Sequence, residues 1–95
     1  MIVNNVLLRL KDRNEEIIKN TQKVLLNMNG KIEVLIDVQA ELNIRPGQSA
    51  YDILLITKFA SLDDMNTYLS HPVHLEVAQY IGGVLDTQAT LCYEL

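Results

Sequence analysis

Apolar residues in this chain recur with the period of a strand, then of a helix, and the order of these changes limits the folds open to it. Residues 2–10 carry the continuous run Val6-Leu7-Leu8, which reads as a strand covered on both faces. Asp12-Arg13-Asn14-Glu15 offers a side-chain oxygen to orphan N–H groups and an acid to a first helical turn. Ile17, Ile18, Val24, Leu25 and Met28 then fall on one face at a period of about 3.6, and Asn29-Gly30 stops the helix near Met28. From Lys31 to Leu42 the period returns to two, with Val34, Ile36, Val38, Ala40 and Leu42 on one face. Pro46-Gly47 tips a loop, and a third strand follows from Tyr51 to Phe59. Ser61 opens a second helix, with Asp64 at the capping-box position. Pro72 splits that helix, and the new piece runs to about Ile81, where Gly82-Gly83 ends it. Leu85 to Leu95 is the last strand.

With the split helix counted once, the order is βαββαβ, an α+β chain of ferredoxin-like pattern. The 95 residues suffice for one domain, 1–95, without internal repeat or linker. Helices cover one face of such a sheet. Leu54 and Ile56 make the other face apolar as well, so a second copy of the same sheet is expected to cover it. A chain this short hides only about 60% of its unfolded surface. With 48% hydrophobic residues, it reads as a homodimer.

Charge narrows the partners. Eight Lys and Arg, scattered singly in a chain of net charge −4, make no phosphate-binding stripe, so no nucleic acid is expected. No apolar run approaches the roughly 20 residues of a membrane span. Met1 leads straight into Ile2-Val3-Asn4-Asn5 without a basic region or small-residue cleavage site, so no secretory leader is expected. One cysteine, Cys92, cannot form an internal disulfide and fits a reducing compartment, the cytoplasm.

Tyr51-Asp52, then Phe59-Ala60-Ser61-Leu62-Asp63-Asp64, then Tyr68-Leu69-Ser70-His71-Pro72-Val73-His74, resembles the stress-responsive dimeric α/β-barrel domain, called Dabb. The string from Tyr68 to His74 is the family's most distinctive signature. The resemblance spans nearly the whole chain and implies a dimeric α+β barrel. One enzyme of the family is the plant polyketide cyclase that makes olivetolic acid. By that resemblance Tyr68 and His74 stand at its catalytic positions, with His71, Asn5 and Cys92 expected around a bound ligand. Two departures matter. Asn5 stands where many members carry histidine, and Cys92-Tyr93 stands where the family often has Asp-Tyr, the aspartate that orients the catalytic histidine. A thiol neither fixes an imidazole tautomer nor stabilises imidazolium as a carboxylate does.

The residues have plainer readings too. His74 falls on the stripe of Val77, Ala78 and Ile81 near a helix start, where the dipole disfavours imidazolium, so it reads as a neutral base or as a hydrogen-bonded core residue. Tyr68 reads as a rim residue with a wet tip or as a donor to a bound carbonyl. His71, before Pro72, is expected to cap a helix junction. His71 and His74 straddle the Pro72 break, so no metal site is expected. Cys92, on a strand, reads as a small hydrophobe. Gly82-Gly83 lacks phosphate-loop spacing, and no cofactor is expected. Two functions fit: a small stress-type protein, non-catalytic or holding an apolar ligand between sheet and helices, or a cofactor-free cyclase or isomerase with His74 as base and Tyr68 as hydrogen-bond donor.

Overall fold

A computed structural model describes residues 1–95. Strand β1 spans Ile2–Leu10, helix α1 Glu15–Leu26, β2 Asp37–Leu42, β3 Ile53–Phe59, α2 Leu62–Ser70, α3 Pro72–Val84 and β4 Leu85–Glu94. The strands form one antiparallel sheet in the order β2-β3-β1-β4. This is the ferredoxin-like arrangement, with β1 and β3 central and the helices on one face.

Helix starts follow the side-chain chemistry of the sequence. The Asn14 side chain accepts a hydrogen bond from the Glu16 N–H, and Ser61 Oγ accepts one from the Asp64 N–H. Leu25 and Met28 from the α1 end, Tyr68 from α2 and Ile81 from α3 pack on Leu8, Ile53, Leu55 and Phe59 of the sheet. Asp52 fixes the entry to β3. Its buried carboxylate accepts from the Leu10 N–H and from Arg13 Nε, each at 2.9 Å. The same guanidinium donates to the Gly47 and Ala50 carbonyls, which ties the 43–52 loop to the start of α1.

Several boundaries differ from the sequence reading, and β3 begins at Ile53 where the sequence reading starts it at Tyr51. Strand β2 begins at Asp37, because Gly30 takes a φ of +78° and the chain turns through residues 31–34 before it reaches the sheet. Ile32 and Leu35, three apart, are buried there, while Ile36 is 52% exposed. A two-residue alternation marks one face only where the backbone is extended. Helix α1 ends at Leu26, not Met28, although Met28 stays fully buried. Helix α3 runs through Gly82-Gly83 to Val84, where Leu85 leaves it with φ −81° and ψ 131°. Neither glycine adopts the positive φ that would stop the helix.

The second face of the sheet is apolar across much of β1, β3 and β4 as expected, while β2 presents Asp37, Gln39 and Glu41 on it. By register, Leu7 lies beside Leu54 and Ala89, and Asn5 beside Ile56 and Leu91. Leu91 and Tyr93 of β4 remain largely exposed on that face. No helix is long and apolar enough to cross a membrane.

Candidate functional site

The elbow between α2 and α3 is built by one residue. His71 has an extended backbone, φ −67° and ψ 138°, as the residue before a proline should. Its N–H donates to the Tyr68 carbonyl and closes α2. Its Nδ1 accepts from the Val73 N–H at 3.1 Å and caps α3, whose first residue is Pro72. Its Nε2 stands 3.6 Å from Glu33 Oε2. The capping role read from the sequence is the one His71 performs.

This elbow brings Tyr68 and His74 together, with ring centroids 4.4 Å apart and planes tilted by 51°. Phe59 lies against Tyr68, at a centroid distance of 4.9 Å. Tyr68 is only 3% exposed, which corrects the expectation of a rim residue with a wet tip. Its hydroxyl faces Met28 Sδ at 3.8 Å, and burial pushes its pKa up to about 12. His74 is half-buried, with Nδ1 3.0 Å from the Leu69 carbonyl oxygen. A carbonyl oxygen only accepts, so Nδ1 carries the proton and the Nε2 lone pair is left open. Burial lowers the His74 pKa, against a smaller opposing pull from the Leu69 hydrogen bond, so the ring is neutral at pH 7.

Both rings line a cavity of about 460 Å³ between the sheet and α2 and α3. Leu8, Leu25, Met28 and Leu55 line it, and Ala78 and Gly82 of α3 lie at exposed positions on its wall. Its polar groups include Asn4, Gln88 and Thr90 from β1 and β4. Asn5 is not among the lining residues. It alternates with Asn4 and turns to the opposite face, where its Nδ2 donates to the Leu91 carbonyl at 3.5 Å. Asn4, like Gln88 and Thr90, is a lining residue the sequence reading missed. The signal was parity, since Asn4 lies two and four residues from Val6 and Leu8, which share the cavity face. Cys92 pairs in register with Asn4 and so shares that face, but it is exposed and does not line the cavity. Its Sγ meets Met65 Sδ at 3.8 Å, and the partner of His74 Nδ1 is Leu69. His71 also lies outside the lining. No three His, Cys, Asp or Glu side chains come together as ligands for a metal ion.

The family described as Stress Responsive A/B Barrel Domain matches residues 2–94. No curated protein matches the chain. Among solved structures, a dimeric protein of ferredoxin-like fold from Bacteroides fragilis is 24% identical, with a TM-score of 0.86 over 99% of this chain and 95% of its own. An Arabidopsis thaliana protein is 22% identical, with a TM-score of 0.86 over 100% of this chain and 95% of its own. Hydroxynitrile lyase from Passiflora edulis is 15% identical, with a TM-score of 0.84 over 99% of this chain and 92% of its own. At these identities the likeness is one of fold.

Proposed function

The chain belongs to the stress responsive A/B barrel domain family, and from that premise we propose that it is a cytoplasmic homodimer that holds a small apolar molecule between its sheet and α2 and α3. The observation that carries the binding role is the cavity. Its volume lies within the roughly 300–1,000 Å³ of small-molecule sites, and 12 of its 17 lining residues are hydrophobic. A mostly apolar wall with a few polar groups is how such sites combine affinity with orientation. The second apolar face, with Leu7, Leu91 and Tyr93 exposed, supports pairing of two sheets, as does the dimeric state of the Bacteroides fragilis relative. Nucleic acid and membrane have no place in this reading, given a net charge of −4 and no basic stripe.

The test is uptake of the neutral fluorescent probe N-phenyl-naphthylamine by the wild type and by Ala78→Trp, which sets an indole in the exposed part of the cavity wall. Saturable uptake of one probe per chain is expected in the wild type, and its loss in the variant. Equal uptake by both proteins places the probe elsewhere and overturns the reading.

A second reading, a cofactor-free cyclase or isomerase with His74 as general base and Tyr68 as donor, draws on the contact between those two rings. The binding reading is preferred for two reasons. The Tyr68 hydroxyl is turned to a thioether, and the partner of His74 Nδ1 is a neutral carbonyl, which stabilises imidazolium less than a carboxylate does. Turnover of a poly-β-keto substrate that falls about 10²–10⁴-fold in His74→Gln would reverse that preference.

A further inference from the structure

The chemistry of the cavity wall restricts what it can hold. None of its 17 lining residues carries a formal charge once His74 is neutral. His74 donates through Nδ1 to the Leu69 carbonyl, so toward a ligand its ring offers only the Nε2 lone pair, an acceptor. On the sheet side, the amides of Asn4 and Gln88 supply N–H donors, and Thr90 supplies a hydroxyl. A hydroxyl group answers both demands, since it gives its hydrogen to Nε2 and accepts from an amide.

The ionised alternatives fit less well. A carboxylate has only lone pairs to set against Nε2, in a chain that is itself negative by four charges. An ammonium finds no carboxylate in the lining. Its other refuge, an aromatic face, is scarce, because Tyr68 is only 3% exposed and packs against the rings of both Phe59 and His74. An ion drawn into such a wall without a partner loses more hydration than it regains.

We propose that the cavity selects an uncharged apolar molecule bearing a hydroxyl group, an aliphatic alcohol or a phenol, with that hydroxyl seated at His74. The proposal rests on the binding role argued above and adds the class of ligand.

Displacement of N-phenyl-naphthylamine tests it, at a mildly alkaline pH where His74 is neutral. Four competitors of equal chain length are compared: decanol, its methyl-ether isostere, decanoate and decylammonium. Decanol is expected to bind about fivefold more tightly than the ether, the usual worth of one net hydrogen bond. It is expected to bind about tenfold more tightly than either ion. In His74→Leu, with competitors compared at that variant's own probe affinity, the preference for alcohol over ether should be lost. Should that variant not fold, the wild-type comparison of alcohol with ether decides by itself. Failure of the probe to bind at all sinks the binding role and this inference together. Uptake of the probe with alcohol and ether equal, with either ion equal to decanol, or with the alcohol preference intact in His74→Leu, overturns the ligand class and leaves the binding role standing.

Discussion

His74 Nδ1 stands 3.0 Å from the carbonyl oxygen of Leu69, five residues back across the Pro72 elbow. That one contact ties the first turn of α3 to the last turn of α2, sets the imidazole tautomer and leaves Nε2 open. It also explains how the ring is oriented without an acidic neighbour.

The contact gives His74 a pH signature. Burial holds its folded-state pKa below the unfolded value of about 6.5, so the unfolded chain takes up the proton first. The stability linked to the neutral ring is fully present above about pH 6.5 and is lost as pH falls through the lower folded-state pKa. Urea unfolding across that window should show stability rising with pH, and His74→Gln should flatten its share of the slope. An NMR titration of the ring in Cys92→Asp should match the wild type, because the Cys92 thiol meets Met65. A large rise in the His74 pKa in that variant would show that position 92 does reach the imidazole.

Tyr68 behaves in the opposite sense. Its folded-state pKa is raised to about 12 from an unfolded value near 10. Stability from the neutral phenol is therefore complete below about pH 10 and lost as pH rises through about 12. Ultraviolet titration should show one tyrosinate step near that pH, absent in Tyr68→Phe. Since the hydroxyl meets only Met28 Sδ, the Phe variant should change stability by less than about 1 kcal/mol. A loss above about 2 kcal/mol would reveal a hydrogen bond stronger than the thioether contact.

Asp52→Ala should be among the most damaging single changes outside the aliphatic core. It removes the acceptor of the Leu10 N–H and the partner of Arg13 at once. Breaking a buried pair from one side costs about 3–5 kcal/mol, and partial exposure of Arg13 argues for the lower end. Denaturant unfolding measures it, and a cost under about 1 kcal/mol would mean the loop 43–52 is held by other contacts.

Two aliphatic positions that look alike in the sequence should part company. Leu55→Ala is expected to cost about 2–5 kcal/mol, as buried large-to-small changes do. Ile36→Ala, at a half-exposed side chain, should cost under about 1 kcal/mol. Comparable losses at both would contradict the turn that starts β2 at Asp37.

Gly83→Ala should stabilise the protein by about 0.5–1 kcal/mol. The residue is inside α3, its φ is not positive, and a Cβ there meets nothing within 4 Å. Destabilisation in a thermal melt would show that α3 needs the glycine after all.

These contrasts show which physics the sequence carries openly. Side-chain capping is local, so Asn14, Ser61 and the helix break at Pro72 could be read directly. The path of residues 31–36 could not, because Ile32 and Leu35 are drawn inward by tertiary packing while the alternation of Val34 and Ile36 runs on in the text alone. Gly82-Gly83 looked like a stop because glycine permits one, yet permission is not a requirement. At the site, the Tyr68-His74 string named two rings that the fold brings into contact on one cavity wall. Asn5 is named by resemblance alone, and strand parity, which one residue of slip inverts, turns it to the opposite face and leaves Asn4 in the cavity lining.

The most direct measurement is the set of intermolecular NOEs between bound N-phenyl-naphthylamine and the methyl groups of the chain. A molecule held between sheet and helices should show NOEs to Val6, Leu55 and Val77, which line the cavity. NOEs confined to Leu7, Leu54 and Leu91, on the opposite face of the sheet, would contradict the account.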